Sequence, residues 1–245
     1  MYLFSPYDVE RIYGTPFSYV DITAKYDEMV ANPDIKKTKI KARELETEIS
    51  KLQQESGYPY VINIDTANRA NPIDGKIVMS NLCSEILQIQ EPSLIKGNQD
   101  YEKLGTDISC NLGSTNIVNL METDDFERSV ETMVRALTHI TDTSDIDVVP
   151  SIKNGNDKYH TIGLGAMGLH TFFALNQMHY GSPESIEFTD AYFLLLNYYS
   201  LKASNKIAKE RGQTFANFEN SDYASGRYFD SYTASDFHFD SDKVR

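Results

Sequence analysis

Helix-like and strand-like stretches take turns along this chain, and that alternation restricts it to an α/β arrangement more tightly than any single motif. Phe188, Tyr192, Leu195, Tyr199 and Ile207 recur at helical spacing between Ser182-Pro183 and Gly212, which predicts a long helix with proline at its first position. Phe126, Val130, Val134, Leu137 and Thr141 trace a second helix that Thr123 or Asp124 can cap, and Ile40, Leu45, Ile49 and Leu52 a third, from Lys39 to Ser56, ending at Gly57. Between them, "YPYVINID" (58–65) reads as a strand and "KIVMSNLCSEI" as a second extended run after a polar loop. "TDISCNLGSTNIVNL" (106–120) reads as an extended segment broken at Gly113, "DVVPSIKNGND" as a loop, and "TIGLGAMGLHTFFALNQ" as a short strand or turn entering a buried helix.

Charge and cysteine content narrow the function. A formal charge of -13 over 245 residues argues against a general phosphate-binding surface, so no direct nucleic-acid contact is expected and any nucleotide needs a local pocket. Two cysteines are too few for a disulfide scaffold, and no apolar run approaches the roughly 20 residues needed to cross a membrane. The opening "MYLFSPYDVERIYG" has no basic region followed by an apolar stretch, so a reducing cytoplasm is expected. Both ends lie in sequence that reads as structured or abruptly cut, including the aromatic, acidic "GRYFDSYTASDFHFDSDKVR", so the chain is expected to be a piece of something larger.

"GLGAMG" (163–168) matches the dinucleotide fingerprint letter for letter, but only "HTI" precedes it and no acidic residue closes a following strand. Close packing at a helix start is the better reading. The five histidines form no His-x-x-x-His pair and the cysteines stand far apart, so no zinc-ligand spacing is present.

"SNLCSEI" is different. In extended backbone Asn81, Cys83 and Glu85 project to one face, joining amide, thiol and carboxylate. Facing a pocket, the carboxylate can act as a base, the amide can orient a hydroxyl, and the thiol can do redox or radical chemistry. The same pattern also fits a buried structural cysteine beside two polar residues on an exposed strand face. Cys110, in another extended segment, is a candidate electron donor to the same pocket, and a Cys83–Cys110 disulfide stays open, though less expected in a reducing compartment.

"SNLCSEI", "DISCNLGSTNI", "VRALTHITDTSDIDVVPSI" and "HTIGLGAMGLH", in this order, strongly resemble the catalytic large (alpha) subunit of class I ribonucleotide reductases, of the class Ib type, and the likeness runs from "MYLFSPYDVERIYG" to "YASGRYFDSYT". The resemblance implies part of a ten-stranded α/β barrel, with the whole of 1–245 a fragment of that catalytic domain. It places "GLGAMGLH" on a helix packed around the barrel. Cys83 matches the cysteine that becomes a thiyl radical and removes the 3′ hydrogen of a ribonucleoside diphosphate, and Glu85 the base that takes the 3′ hydroxyl proton. Asn81 matches the amide that hydrogen-bonds the ribose hydroxyls, and Cys110 one of two cysteines that supply the reducing electrons.

Absent from the chain are the family's second redox cysteine, its effector region, the tyrosine pair that passes the radical, the later phosphate-binding loop and the terminal cysteine pair. The resemblance therefore implies partners: the remaining large-subunit segments, a small subunit with a dimetal (Mn or Fe) tyrosyl radical, and a thioredoxin- or glutaredoxin-like reductant. No cofactor or metal is expected on this chain itself, and nucleotide effectors are expected only of the complete subunit. The alternative is a non-catalytic remnant serving as a binding or assembly module. A stand-alone thiol redox protein is disfavoured because no Cys-x-x-Cys is present.

Overall fold

Ser5 and Pro6 start a helix rather than a simple turn. The Ser5 side chain accepts from the Asp8 N–H at 3.4 Å, and Pro6 takes the first helical position, where its missing N–H costs nothing. The computed structural model describes residues 1–230 and resolves two units, Met1–Ala67 with Leu82–Ser84, and Asn68–Asn81 with the described residues from Glu85 onward. In the first, β1 (Tyr2–Phe4) precedes α1 (Pro6–Tyr13), α2 (Ile22–Ala31), β2 (Lys37–Lys39) and α3 (Ala42–Ser56). β1 and β2 pair antiparallel with Leu3 opposite Thr38, and Val9, Met29 and Ile35 form a buried core beneath Phe4, Ile12 and Phe17.

α3 begins three residues later than the apolar spacing suggests, with Lys41 as its N-cap, and ends at Gly57 in the left-handed region, as expected. The strand expected over 58–65 does not form. Pro59 lacks an N–H, no described strand pairs with the segment, and Val61 is 65% exposed; the chain instead enters α4 (Ile64–Arg69).

The second unit holds β3 (Leu94–Ile95), β4 (Tyr101–Lys103), β5 (Leu112–Asn116), α5 (Ile117–Met121), α6 (Phe126–Thr143), α7 (Pro150–Tyr159), β6 (Gly163–Met167), α8 (Leu169–Leu175), α9 (Pro183–Arg211) and α10 (Asp222–Ser225). β3 and β4 form a short antiparallel pair, while β5 and β6 run parallel, Leu112 opposite Gly163 through Asn116 opposite Met167. A parallel pair needs a long crossover, supplied here by α5, α6 and α7. α6 and α9 pack over it, burying Ile117, Leu120, Val130, Val134, Tyr192, Leu196, Ala203 and Ile207. Ion pairs of Arg135 with Glu210, Lys206 with Glu131 and Arg211 with Asp142 run along the outer seam of the two helices.

α9 spans the predicted range, capped by Ser182 and stopped at Gly212, and β6 into α8 follows the expected strand-to-helix order. Four readings in this unit are corrected. Gly113 does not break β5, because it lies on the face toward Met133 and Leu137, where a larger side chain would crowd them. α6 is capped by Asp125, whose carboxylate accepts from the Arg128 N–H at 2.9 Å, and not by Thr123 or Asp124.

The expected loop "DVVPSIKNGND" contains most of α7, with Pro150 at its start. Apart from Tyr159 near its end, its buried face carries Ser151, Gly155 and Asn156 and no apolar stripe, so hydrophobic periodicity does not register it. Lastly, "GLGAM" is the strand β6 and only Leu169 starts a helix, so the close approach its glycines allow is between strands: a Cβ on Gly163 would collide with the Leu112 side chain. The last fifteen residues, which include most of the expected irregular carboxy-terminal tail, lie outside the described residues. Among the described residues no helix is long and apolar enough to cross a membrane.

Candidate active site

Asn81 and Glu85 meet because the chain turns between them. Extended backbone would bring them to one face by alternation, but residues 82–84 form a turn, and Ser84 takes φ 66°, a left-handed conformation that non-glycine residues rarely adopt. Hydrogen bonds close the loop at its base. The Ser80 hydroxyl donates to the Ile86 carbonyl at 2.6 Å, and the Ile86 N–H donates to Asn81 Oδ1 at 3.1 Å. The Asn81 amide nitrogen is left to donate to Glu85 Oε1 at 2.7 Å.

Among the described residues no strand pairs with the extended run leading into this loop. In place of a neighbouring strand, the Gln90 side-chain oxygen accepts from the N–H groups of Val78 and Met79, at 3.2 and 2.9 Å, and the Gln90 N–H donates to the Lys76 carbonyl.

Cys110 reaches this loop from the segment entering β5. Its Sγ donates to Glu85 Oε1 at 3.5 Å, and Asn81 Nδ2 lies 3.8 Å from the sulfur. One carboxylate oxygen thus collects an amide and a thiol donor. The Glu85 carboxyl is held below the usual carboxylate range, first by its own backbone N–H, then by the Asn81 amide and, more weakly, by the Cys110 thiol, with burial opposing. It is an ionised acceptor at neutral pH, the form a general base needs.

Three of the four residues singled out from sequence are therefore in contact. The fourth, Cys83, is an exposed thiol in the middle of the turn, two positions from both Asn81 and Glu85; Cys110 is likewise exposed and neither cysteine is in a disulfide, so neither the disulfide nor the buried structural cysteine is what forms. A cavity of about 820 Å³ in the second unit lies among Leu87, Val134, His160, Ile207, Phe215 and Tyr228, and none of the four residues lines it. Among the described residues no group of three His, Cys, Asp or Glu side chains is arranged to hold a metal.

Sequence reasoning passed over the residues that hold Cys110 in place. The Asp107 N–H donates to the Ser151 carbonyl at 2.9 Å while the Ser151 hydroxyl donates to the Asp107 carboxylate at 2.6 Å. Asn111 bonds to α6, and Asn154 of α7 donates to the Gly105 carbonyl at 2.8 Å. The signal available was a run of short polar side chains where an apolar helix face was sought.

An α/β unit with a parallel strand pair and a thiol–carboxylate–amide cluster beside the segment entering β5 brings together side chains of the kinds that acid–base and thiol chemistry use. A family model described as ribonucleotide reductase, barrel domain, matches residues 1–245, and the chain belongs to that family. It is 47% identical over 233 residues to the ribonucleoside-diphosphate reductase subunit alpha of Mycoplasma pneumoniae, covering 95% of this chain and 32% of the relative. The Bacillus subtilis subunit alpha is 42% identical over 238 residues, covering 96% and 34%. The chain thus spans about a third of the length of the curated relatives it matches. Among solved structures, the alpha subunit of the class Id ribonucleotide reductase of Actinobacillus ureae superposes with a TM-score of 0.58 at 22% identity, over 78% of this chain and 34% of that one, a likeness of fold. The fold is a partial α/β arrangement of the ribonucleotide reductase type, with no closed barrel among the described residues.

Proposed function

We propose that this chain supplies the catalytic loop of a class Ib ribonucleoside-diphosphate reductase large subunit and works when joined to, or assembled with, the remaining segments of that subunit. The observation that carries the reading is the convergence of the Asn81 amide and the Cys110 thiol on one carboxylate oxygen of Glu85, two residues along the chain from Cys83. Cys83, as a thiyl radical, takes the 3′ hydrogen of a ribonucleoside diphosphate, breaking C3′–H and forming S–H. Glu85 accepts the 3′ hydroxyl proton and Asn81 fixes the hydroxyls by hydrogen bonds. The 2′ hydroxyl takes a proton from one redox thiol and leaves as water, the other thiol hydrogen goes to C2′, and the proton on Glu85 returns to the 3′ oxygen when Cys83 gives back the 3′ hydrogen. Cys110 and a second cysteine from outside this chain give up two electrons and two hydrogens and become a disulfide, and Cys83 returns the 3′ hydrogen.

In this reading the radical comes from a small subunit with a dimetal (Mn or Fe) tyrosyl radical, a thioredoxin- or glutaredoxin-like protein re-reduces the disulfide, nucleotide effectors bind other parts of the complete subunit, and the setting is cytoplasmic. The test is conversion of labelled CDP to dCDP by this chain with its flanking segments, the small subunit and a thiol reductant, beside Cys83→Ser. Turnover that requires every component and disappears with serine is the expected result. No turnover from a demonstrably assembled mixture with a working small subunit overturns the reading in favour of a non-catalytic assembly module.

A further inference from the structure

Cys110 has an exposed side chain, so packing around the sulfur does not fix where it points. Its neighbour does. Asn111 Nδ2 donates at 2.7 Å to the Leu137 carbonyl and at 2.7 Å to Thr141 Oγ1, one amide hydrogen to each. Both acceptors belong to the last turns of α6. Thr141 is 3% exposed, its hydroxyl donates in turn to Leu137 O at 3.2 Å, and its carbonyl accepts from the buried Asn156 of α7 at 3.0 Å. The Asn111 carbonyl accepts from the Gly163 N–H at 2.9 Å, next to the first pair of the β5–β6 ladder.

We infer that Asn111 is the positioning residue for the Cys110 thiol, locking the adjoining backbone to α6 so that Sγ stays within reach of Glu85. This rests on the reading of Cys110 as a redox thiol acting beside Glu85. Backbone bonds at Asp107 fix the segment to α7 three residues earlier, and Asn111 fixes it one residue later. An S–H···O contact at 3.5 Å is a weak hydrogen bond made by an exposed sulfur, so a small displacement of the backbone at Cys110 weakens it.

The test uses the intact chain and needs no turnover, so its failure is separable from failure of the assembled enzyme. Iodoacetamide labelling is followed by peptide mass spectrometry, with Cys83 as internal reference. A thiol donating to a carboxylate holds its proton, and the thiolate is what reacts. In Asn111→Ala, Cys110 is expected to label at least about threefold faster relative to Cys83 than in the parent. Thr141→Val, which removes one acceptor, gives a smaller rise, and Thr141→Ser restores the parent ratio. In a Glu85→Gln background Asn111→Ala changes the ratio little, because the contact it protects is already neutralised. An unchanged ratio in folded Asn111→Ala overturns the inference, as does an equal rise in the Gln background. Should Asn111→Ala not fold, the Thr141→Val and Thr141→Ser pair decides: equal ratios in these two overturn it.

Discussion

Cys110 and Glu85, 25 residues apart in sequence, are joined by a hydrogen bond from thiol to carboxylate at 3.5 Å. The same oxygen accepts the Asn81 amide at 2.7 Å, so the carboxylate and the thiol proposed as base and electron donor are linked through one atom. A ribose hydroxyl entering between them would compete for one acceptor. The shared atom makes Glu85 the residue whose loss should disturb both chemistries.

Glu85→Gln keeps the shape and a hydrogen-bonding group but removes the negative acceptor. In the assembled enzyme dCDP formation is expected to fall by at least about a hundredfold, in the range of a lost general base. In the isolated chain Cys110 is expected to alkylate faster. Radiolabelled product formation and thiol mass labelling read the two effects; a variant with near-parental turnover would remove Glu85 from the proton-transfer role.

Thr115 and Tyr192 test the core beneath β5. Their hydroxyls lie 3.0 Å apart and buried, and Thr115 also reaches the Gly165 carbonyl on β6 at 3.2 Å. Burial raises the Tyr192 phenol above its usual range, against a smaller opposing effect of Thr115. Tyr192→Phe leaves Thr115 its second partner and should cost only about 0.5–1.5 kcal/mol, whereas Thr115→Val strands the phenol hydroxyl and should cost about 1–3 kcal/mol. Urea unfolding of the two variants and their double mutant checks the order, and a milder Thr115→Val contradicts it.

What the sequence made legible was apolar and periodic. The Ser182 cap, the Gly212 stop and Tyr192 and Ile207 of the α9 stripe were readable, because burial on one face requires helical spacing, but Leu195 is 41% exposed and Leu196 is buried instead. α7 was not legible. It is held by Ser151, Asn154 and Asn156 bonding to backbone and carboxylate groups far away in sequence, and no local pattern encodes those partners. At the site, the types Asn81, Glu85 and Cys110 were readable but the geometry was misread. A left-handed Ser84, not strand alternation, reverses the chain between Asn81 and Glu85. The extended reading failed at 58–65 for a related reason: β-branched and aromatic residues favour a strand only where a partner strand exists.

Asp142 gives a pH signature on the α6–α9 seam. The Arg211 guanidinium holds its carboxyl below the usual range, burial opposes, and His160 and His139 add smaller favourable charge. A depressed folded value means the contribution is present above the unfolded value, about pH 3.9, and fades as pH falls through the lower folded value. Asp142→Asn should therefore lower stability near neutral pH by up to about 1 kcal/mol, with the gap to the parent narrowing as pH falls below the unfolded value. Urea midpoints across that range measure it; a gap that does not change with pH would assign the effect to packing.

Gly155 couples α7 to the segment that presents Cys110. A Cβ at this position would run into the Asp107 carbonyl oxygen, a backbone atom that cannot turn aside as a flexible side chain would. Asp107 is itself fixed to Ser151 through both its N–H and its carboxylate, so the strain must be relieved by moving α7 or the chain around 107. Gly155→Ala should destabilise the protein by about 1–3 kcal/mol, the usual cost of overpacking a tight contact. Relief by a shift of the 107–111 segment also alters the labelling ratio of Cys110 to Cys83, whereas relief by α7 alone leaves it unchanged. Urea unfolding combined with thiol labelling of the same variant separates the two, and a variant as stable as the parent would show that α7 and Asp107 are not in close contact.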